Sequence, residues 1–194
     1  MAKLRFVILG LCCGVVGLLP TAASARTHRA HAAVVCANSD AAANQASVET
    51  MRAAVVCLIN KQRAAHGLVV LRHSFRLDHS AQGWTNRMVS HSLFSHGSDF
   101  AARITAAGLR WSSAGENIAT GFLTPAEVVD AWMKSTGHCQ NILSPNYSFV
   151  GTGVNSNPVS GYASGPATWT QDFALPMGQR APSGNSGPAA HCPY

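Results

Sequence analysis

The segment Gly115–Leu143 reads GENIATGFLTPAEVVDAWMKSTGHCQNIL. Gly115 and Gly121 bound a short segment that presents Glu116 and reads as a loop. Thr124 and Pro125 then start a helix, because a threonine hydroxyl can accept from free first-turn amides and proline fits the first turn. Val128, Val129, Trp132 and Met133 fall on one face of that helix. Gly137 is placed to end it in a left-handed conformation, and His138 follows at once. An acid and an imidazole therefore sit at the two ends of one loop-helix unit. A second imidazole, His96, lies upstream in FSHG (Phe94–Gly97).

Outward from this unit, the chain reads as helices first and strands late. Ser47 caps a first helix with Glu49 in its first turn. Met51, Val55, Leu58, Ile59 and Gln62 form its facing stripe, and Gly67 stops it; Arg52, Lys61 and Arg63 read as a solvated face. A second helix spans about 75–91, with Leu77, Ala81, Trp84 and Met88 on one buried face. Residues 92–97 form a loop that delivers His96. Ser98 then caps a third helix over 99–107, and Gly108 closes it. Residues 148–155 read as a strand. A second lies within 161–174, where Trp169, Gln171 and Phe173 alternate with Thr170 and Asp172. This order predicts an α+β fold with an antiparallel sheet. There is no internal repeat and no sign of a second domain.

Three motifs in this order, FSH (Phe94–His96), GENIA (Gly115–Ala119) and WMKSTGH (Trp132–His138), resemble the bacterial branch of the CAP/SCP superfamily. That family takes in cysteine-rich secretory proteins, antigen 5 and pathogenesis-related proteins. The resemblance runs from about Val48 to Phe173, and it implies a three-layer α-β-α sandwich around a central antiparallel sheet.

The amino terminus reads as an export signal. Lys3 and Arg5 precede an apolar run from Phe6 to Leu19, and Ala23-Ser24-Ala25 is a small-x-small cleavage site. The expected organisation is a signal peptide over 1–25, a loosely held arm over 26–46, the main domain over 47–177 and a Gly/Pro/Ser-rich tail over 178–194. Cys12 and Cys13 leave with the signal, and no later stretch is apolar enough to span a bilayer. The mature product is expected to be secreted, extracellular and monomeric. Cleavage after Ala25 would expose Arg26-Thr27-His28, a chelator for square-planar Cu(II) or Ni(II) through the amine, two amides and the imidazole.

Removing Lys3 and Arg5 takes two charges from the net +6. The remainder suits an anionic envelope or lipid surface. No basic block or basic-aromatic stripe points to nucleic acid. Four cysteines remain, Cys36, Cys57, Cys139 and Cys192, and an even count in an exported chain reads as two disulfides. Three pairings are possible. The favoured one joins Cys36 to Cys57, tying the arm to the first helix, and Cys139 to Cys192, tying the tail to the core. A reactive Cys139 beside His138 is the disfavoured alternative.

On residue type alone, His96, Glu116 and His138 can bind Zn²⁺ or share protons near neutral pH. Their spacing is not a local metal signature, and each taken singly reads as a satisfied structural residue. The family resemblance changes that reading. It implies a cleft lined by two histidines and two glutamates that in some members holds Zn²⁺ or another divalent cation. His96, Glu116 and His138 match three of the four. Ser135 stands where the second glutamate would be, which removes one charge and one ligand. Asp172 is a candidate replacement, while Glu127 and Asp130 read as surface residues. Two functions follow as expectations. The first is a secreted binding module whose cleft takes a divalent cation, a lipid or an envelope-derived ligand. The second is a hydrolase of extracellular peptide or cell-wall material, in which Zn²⁺ on the histidines acidifies a water and Glu116 is the general base.

Overall fold

A computed structural model describes residues 35–184 and Cys192. The expected signal peptide, the Arg26–His28 chelator, the first part of the arm and most of the tail lie outside the described residues.

The elements run α1 (Val48–Ala65), β1 (Arg72–His73), α2 (Phe75–Ser90), α3 (Phe100–Ala106), β2 (Trp111–Thr120), α4 (Pro125–Met133), α5 (Thr136–Ile142), β3 (Phe149–Asn155) and β4 (Thr168–Pro176). The strands form one sheet in the order β1-β3-β4-β2. β3 and β2 flank β4 antiparallel, and the two-residue β1 pairs parallel with β3. The sheet is therefore antiparallel apart from that short edge pair. Helices cover both faces, which gives the α-β-α sandwich.

β4 shows the layering residue by residue. Trp169 and Phe173 join Met51, Val55 and Ile59 of α1 and Val128, Val129 and Trp132 of α4 in the main core. Ala174 faces the other way, onto Leu77 of α2 and Ile104 of α3. Both faces are buried, so β4 is buried along almost its whole length. On β3, Gly151 and Gly153 turn toward α2. A Cβ on either would collide with the helix backbone at Leu77–Asp78 and at Ala81–Gln82. Two missing side chains thus let α2 lie directly on the sheet.

The helix starts follow local chemistry. Ser47 accepts from Thr50 N, and Thr124 and Glu127 form a reciprocal capping box with Pro125 in the first turn. α3 is capped by Asp99 rather than Ser98.

Further sequence expectations need correction. Residues 115–121 are not a loop: Glu116 lies inside the ten-residue β2, which pairs with β4 from Trp111 to Thr120. Gly137 does not end a helix. α4 stops at Met133, Ser135 is extended (φ −107°, ψ 122°) and α5 starts at Thr136, with Gly137 and His138 in its first turn. The break turns α5 so that Cys139 and Ile142 reach the main core. Arg63 is not solvated but fully buried. Its Nε donates to Val69 O (2.8 Å), and its Nη1 donates to Ile142 O (2.8 Å) and Ser144 O (2.7 Å). It thereby fastens the end of α1 to the end of α5, where unpaired carbonyls gather.

Arg52 departs from the expected solvated face as well, and it exposes a wider pattern. Beyond the short β1, side chains satisfy the outer edge of β3. Arg52 Nε donates to Thr152 O (2.7 Å), Asp78 Oδ1 accepts from Thr152 N (2.8 Å), and Gln82 pairs with both N and O of Val154 (3.1 and 2.8 Å). On the outer edge of β2, Tyr147 Oη, Asn141 Nδ2 and Trp132 Nε1 donate to the carbonyls of Ala114, Glu116 and Ile118 (3.2, 3.1 and 3.4 Å).

Disulfides join Cys36 to Cys57 and Cys139 to Cys192, with Cα separations of 5.6 and 5.8 Å. The first anchors the start of the described chain on α1, and the second brings Cys192 against the main core.

Candidate functional site

β2 presents alternate residues to opposite faces, which explains the chemistry of Gly115-Glu116-Asn117. Gly115 and Asn117 face α5. A Cβ on Gly115 would run into Tyr147 Oη, so only glycine fits there. Asn117 Nδ2 donates to His138 O (3.2 Å), and Asn141 Nδ2 donates to Asn117 Oδ1 (2.9 Å). These bonds hold the His138-bearing turn against the edge strand. Glu116 faces the opposite layer, toward α2 and α3.

His96 reaches Glu116 from the loop after α2. That loop is fixed by Trp84, whose Nε1 donates to Ser95 O (2.9 Å). Gly97 (φ +73°) lies so close to the Trp84 ring that a Cβ would come within 2.9 Å of it. His96 Nδ1 bonds Glu116 Oε1 at 2.8 Å, while the histidine side chain is 48% exposed and the glutamate 1%. The ring edge remains open to solvent while the carboxylate is withdrawn.

The other oxygen, Glu116 Oε2, takes a short ion pair from Arg103 Nη2. Arg103 comes from α3 and is held three ways. Besides that pair, its Nη1 donates to His96 O (2.9 Å), and its guanidinium stacks 3.9 Å from the Trp84 ring centroid. The sequence reading missed it. The available signal was an arginine in an otherwise uncharged seven-residue helix, between His96 and Glu116 in the chain.

Asp172 stands directly across from Glu116 in the β2–β4 register and is fully buried. Neither of its oxygens has a well-formed hydrogen bond among the described residues, and the same is true of Ser80 Oγ on α2. Burial pushes the Asp172 carboxyl well above its ordinary range, and the Glu116 charge pushes it further; Ser80 and Arg103 pull the other way. Two carboxyls thus share one guanidinium, and Asp172 is the one pushed toward its neutral form.

His138 is partly buried in the first turn of α5. Burial lowers its pKa, and the neighbouring His96 lowers it further, so the ring is neutral at pH 7. The structure therefore gathers His96, Glu116 and His138 along the β2 edge of the sheet, with Arg103 and Asp172 beside Glu116. Ser135 caps no amide with its side chain. Glu127 serves the α4 capping box, and Asp130 pairs with Lys134 on the surface (2.6 Å).

As a cation centre this set fits poorly. Both Glu116 oxygens already accept bonds, one of them from a fixed positive charge, so a cation would have to compete with His96 and Arg103 for this carboxylate. Two imidazoles without a carboxylate fall short of the three protein ligands of a catalytic zinc site. Among the described residues, no group of three His, Cys, Asp or Glu side chains is arranged to hold a metal ion.

Beside Arg103 a cavity of roughly 590 Å³ opens between α2 and α3. Trp84 and Leu93 supply its apolar wall, and His79, Ser80, Arg87 and Asp99 its polar one.

Comparison with known proteins places these features. The family model of the cysteine-rich secretory protein (CAP) family matches residues 56–173. The uncharacterized protein YkwD of Bacillus subtilis is 38% identical over 132 residues, covering 66% of this chain and 48% of that protein. The uncharacterized membrane protein YlbC of the same organism is 30% identical over 105 residues, covering 52% and 30%. The chain thus spans less than half the length of these curated relatives. Among solved structures, an extracellular SCP-domain protein from Bacillus anthracis superposes with TM-score 0.57 at 24% identity, covering 66% of this chain and 44% of that one. A cysteine-rich secretory protein from Staphylococcus aureus gives 0.53 at 17% identity, covering 66% and 39%. Both show the fold. With the family model spanning both His96 and His138 and the sandwich in place, the chain belongs to the cysteine-rich secretory protein (CAP) family.

Proposed function

We propose that this CAP domain is an exported binding module whose His96–Glu116–His138 site holds a polar fragment of the cell envelope, a glycan or peptide piece of the wall, without cleaving it. The observation that carries this reading is that both oxygens of Glu116 are already bonded. A general base must accept a proton from water, and this carboxylate is only 1% exposed, with one oxygen held by His96 and the other paired with the Arg103 guanidinium. The Glu116 charge is balanced by Arg103. What the site offers a ligand is the half-exposed His96 ring and the neutral His138 ring, suited to hydroxyl and amide groups. The adjacent cavity has the size of small-ligand sites and mixes an aromatic wall with polar groups.

Export is supported by the two disulfides, which persist in oxidising compartments. The extracellular B. anthracis relative supports it further. Among the described residues no helix is long and apolar enough to cross a membrane.

Calorimetric titration with soluble peptidoglycan fragments tests the proposal, with mass spectrometry of the fragments afterwards. Saturable binding of intact fragments, weakened about tenfold in His96→Ala, is the expected result. Fragments cut by the wild type and left whole by His96→Ala would establish the hydrolase instead. Binding only to phospholipid vesicles would move the assignment to a lipid.

A further inference from the structure

We propose that Arg103 is the resident cation of this cleft: its guanidinium sits on Glu116 where a divalent ion would have to sit, and the site operates without a metal. The proposal concerns the same site as the binding reading but does not depend on which ligand is held.

Three observations carry it. Arg103 Nη2 is paired with Glu116 Oε2, and the second oxygen is taken by His96. The guanidinium cannot readily swing aside. It is clamped between the Trp84 ring and the His96 carbonyl, and its side chain is only 20% exposed. Finally, the carboxyl that could have completed a cation site, Asp172, lies buried across from Glu116 with Arg103 close enough to favour its charged form. An incoming dication would have to displace a guanidinium or lie against it. The repulsion acts at short range inside a partly dry site, where charges are weakly screened.

Arg103 therefore masks a latent cation site. Removing its charge leaves His96, Glu116 and Asp172 grouped on one face of the sheet, with His138 nearby and no guanidinium among them. This is the donor set of a divalent centre.

The test is calorimetric titration of Zn²⁺ into the full chain at pH 7.5, every version carrying His28→Ala to remove the amino-terminal chelator. Wild type is expected to show no Zn²⁺ site that depends on His96 or His138. Arg103→Gln is expected to gain one, tighter than any wild-type binding by about tenfold or more, and Arg103→Gln/Glu116→Gln should lose it again. Arg103→Lys retains the charge and should gain nothing. Each version is checked for a cooperative melt. A wild-type Zn²⁺ site abolished by both His96→Ala and His138→Ala would overturn the proposal, as would a folded Arg103→Gln that gains no site. If Arg103→Gln does not fold, the wild-type and histidine arms decide alone. Failure here leaves wall-fragment binding, measured separately, untouched.

Discussion

Replacing Arg63 by methionine sets two sizeable effects against each other. The three carbonyls that Arg63 satisfies, on Val69, Ile142 and Ser144, lie in part-buried or buried surroundings. Leaving one such acceptor unpaired costs about 1–3 kcal/mol, so the gross loss is roughly 5 kcal/mol. Methionine fills much of the same space and adds no cavity of consequence. Against this, wild type already bears the cost of burying a cation, which lowers the Arg63 pKa from its ordinary value to about 10. That shift corresponds to about 3 kcal/mol, which the substitution returns. The net expectation is a loss of about 2 kcal/mol. Urea unfolding at pH 7 with disulfides intact measures it, using fluorescence of the buried Trp132 and Trp169. A lower midpoint at unchanged slope is the expected form. A variant as stable as wild type, or more stable, would show that desolvation outweighs the carbonyl bonds and that Arg63 does not fasten α1 to α5 at a net gain.

Asp172→Asn should raise the urea midpoint at pH 8 and leave it unchanged at pH 3. The folded carboxyl has a raised pKa, so its favourable contribution is complete below the unfolded value near 3.9 and is lost as pH climbs toward the folded one; a midpoint lowered equally at both pH values would refute this. For His138 the folded pKa is depressed, so the unfolded chain takes up the proton first and stability falls as pH drops below about 6.5. His138→Gln should flatten that slope between pH 7 and 5.5, and an unaltered slope would count against the assignment. Gly115→Ala forces a methyl group onto Tyr147 Oη and Asn141 Oδ1. It should cost about 1–3 kcal/mol, with Gly115→Ala/Tyr147→Phe recovering part of the loss.

Much of this architecture is legible from local rules. The stripe of Met51, Val55 and Ile59 and the caps at Ser47 and Thr124 are readable because their causes lie within a few residues. β2 is not, since its hydrogen bonds come from β4, whose paired residues lie 48 to 65 positions further on. Taken alone, two glycines around Glu116 resemble a loop. Only the neighbouring strand and Tyr147 reveal that Gly115 is small because something stands against it. The buried arginines were hidden for a related reason. A guanidinium inside a protein needs partners, and those of Arg63 are main-chain carbonyls that carry no sequence signal. At the site, His96, Glu116 and His138 could be named from motif resemblance. Arg103 changes their charge balance, and it sits outside every motif quoted.

The side chains along the two outer strands have a consequence for how this domain meets other molecules. The outward backbone groups at Thr152 and Val154 and the carbonyls of Ala114, Glu116 and Ile118 are already engaged by the protein's own side chains. A foreign extended peptide seeking to zip onto either rim would have to evict them. β-Augmentation, the commonest way an exposed sheet captures a peptide or nucleates a fibril, is therefore closed at these positions. Fibril growth along either border of the sheet would first have to break these bonds, so the protein's own side chains act as guards against self-association at its sheet edges.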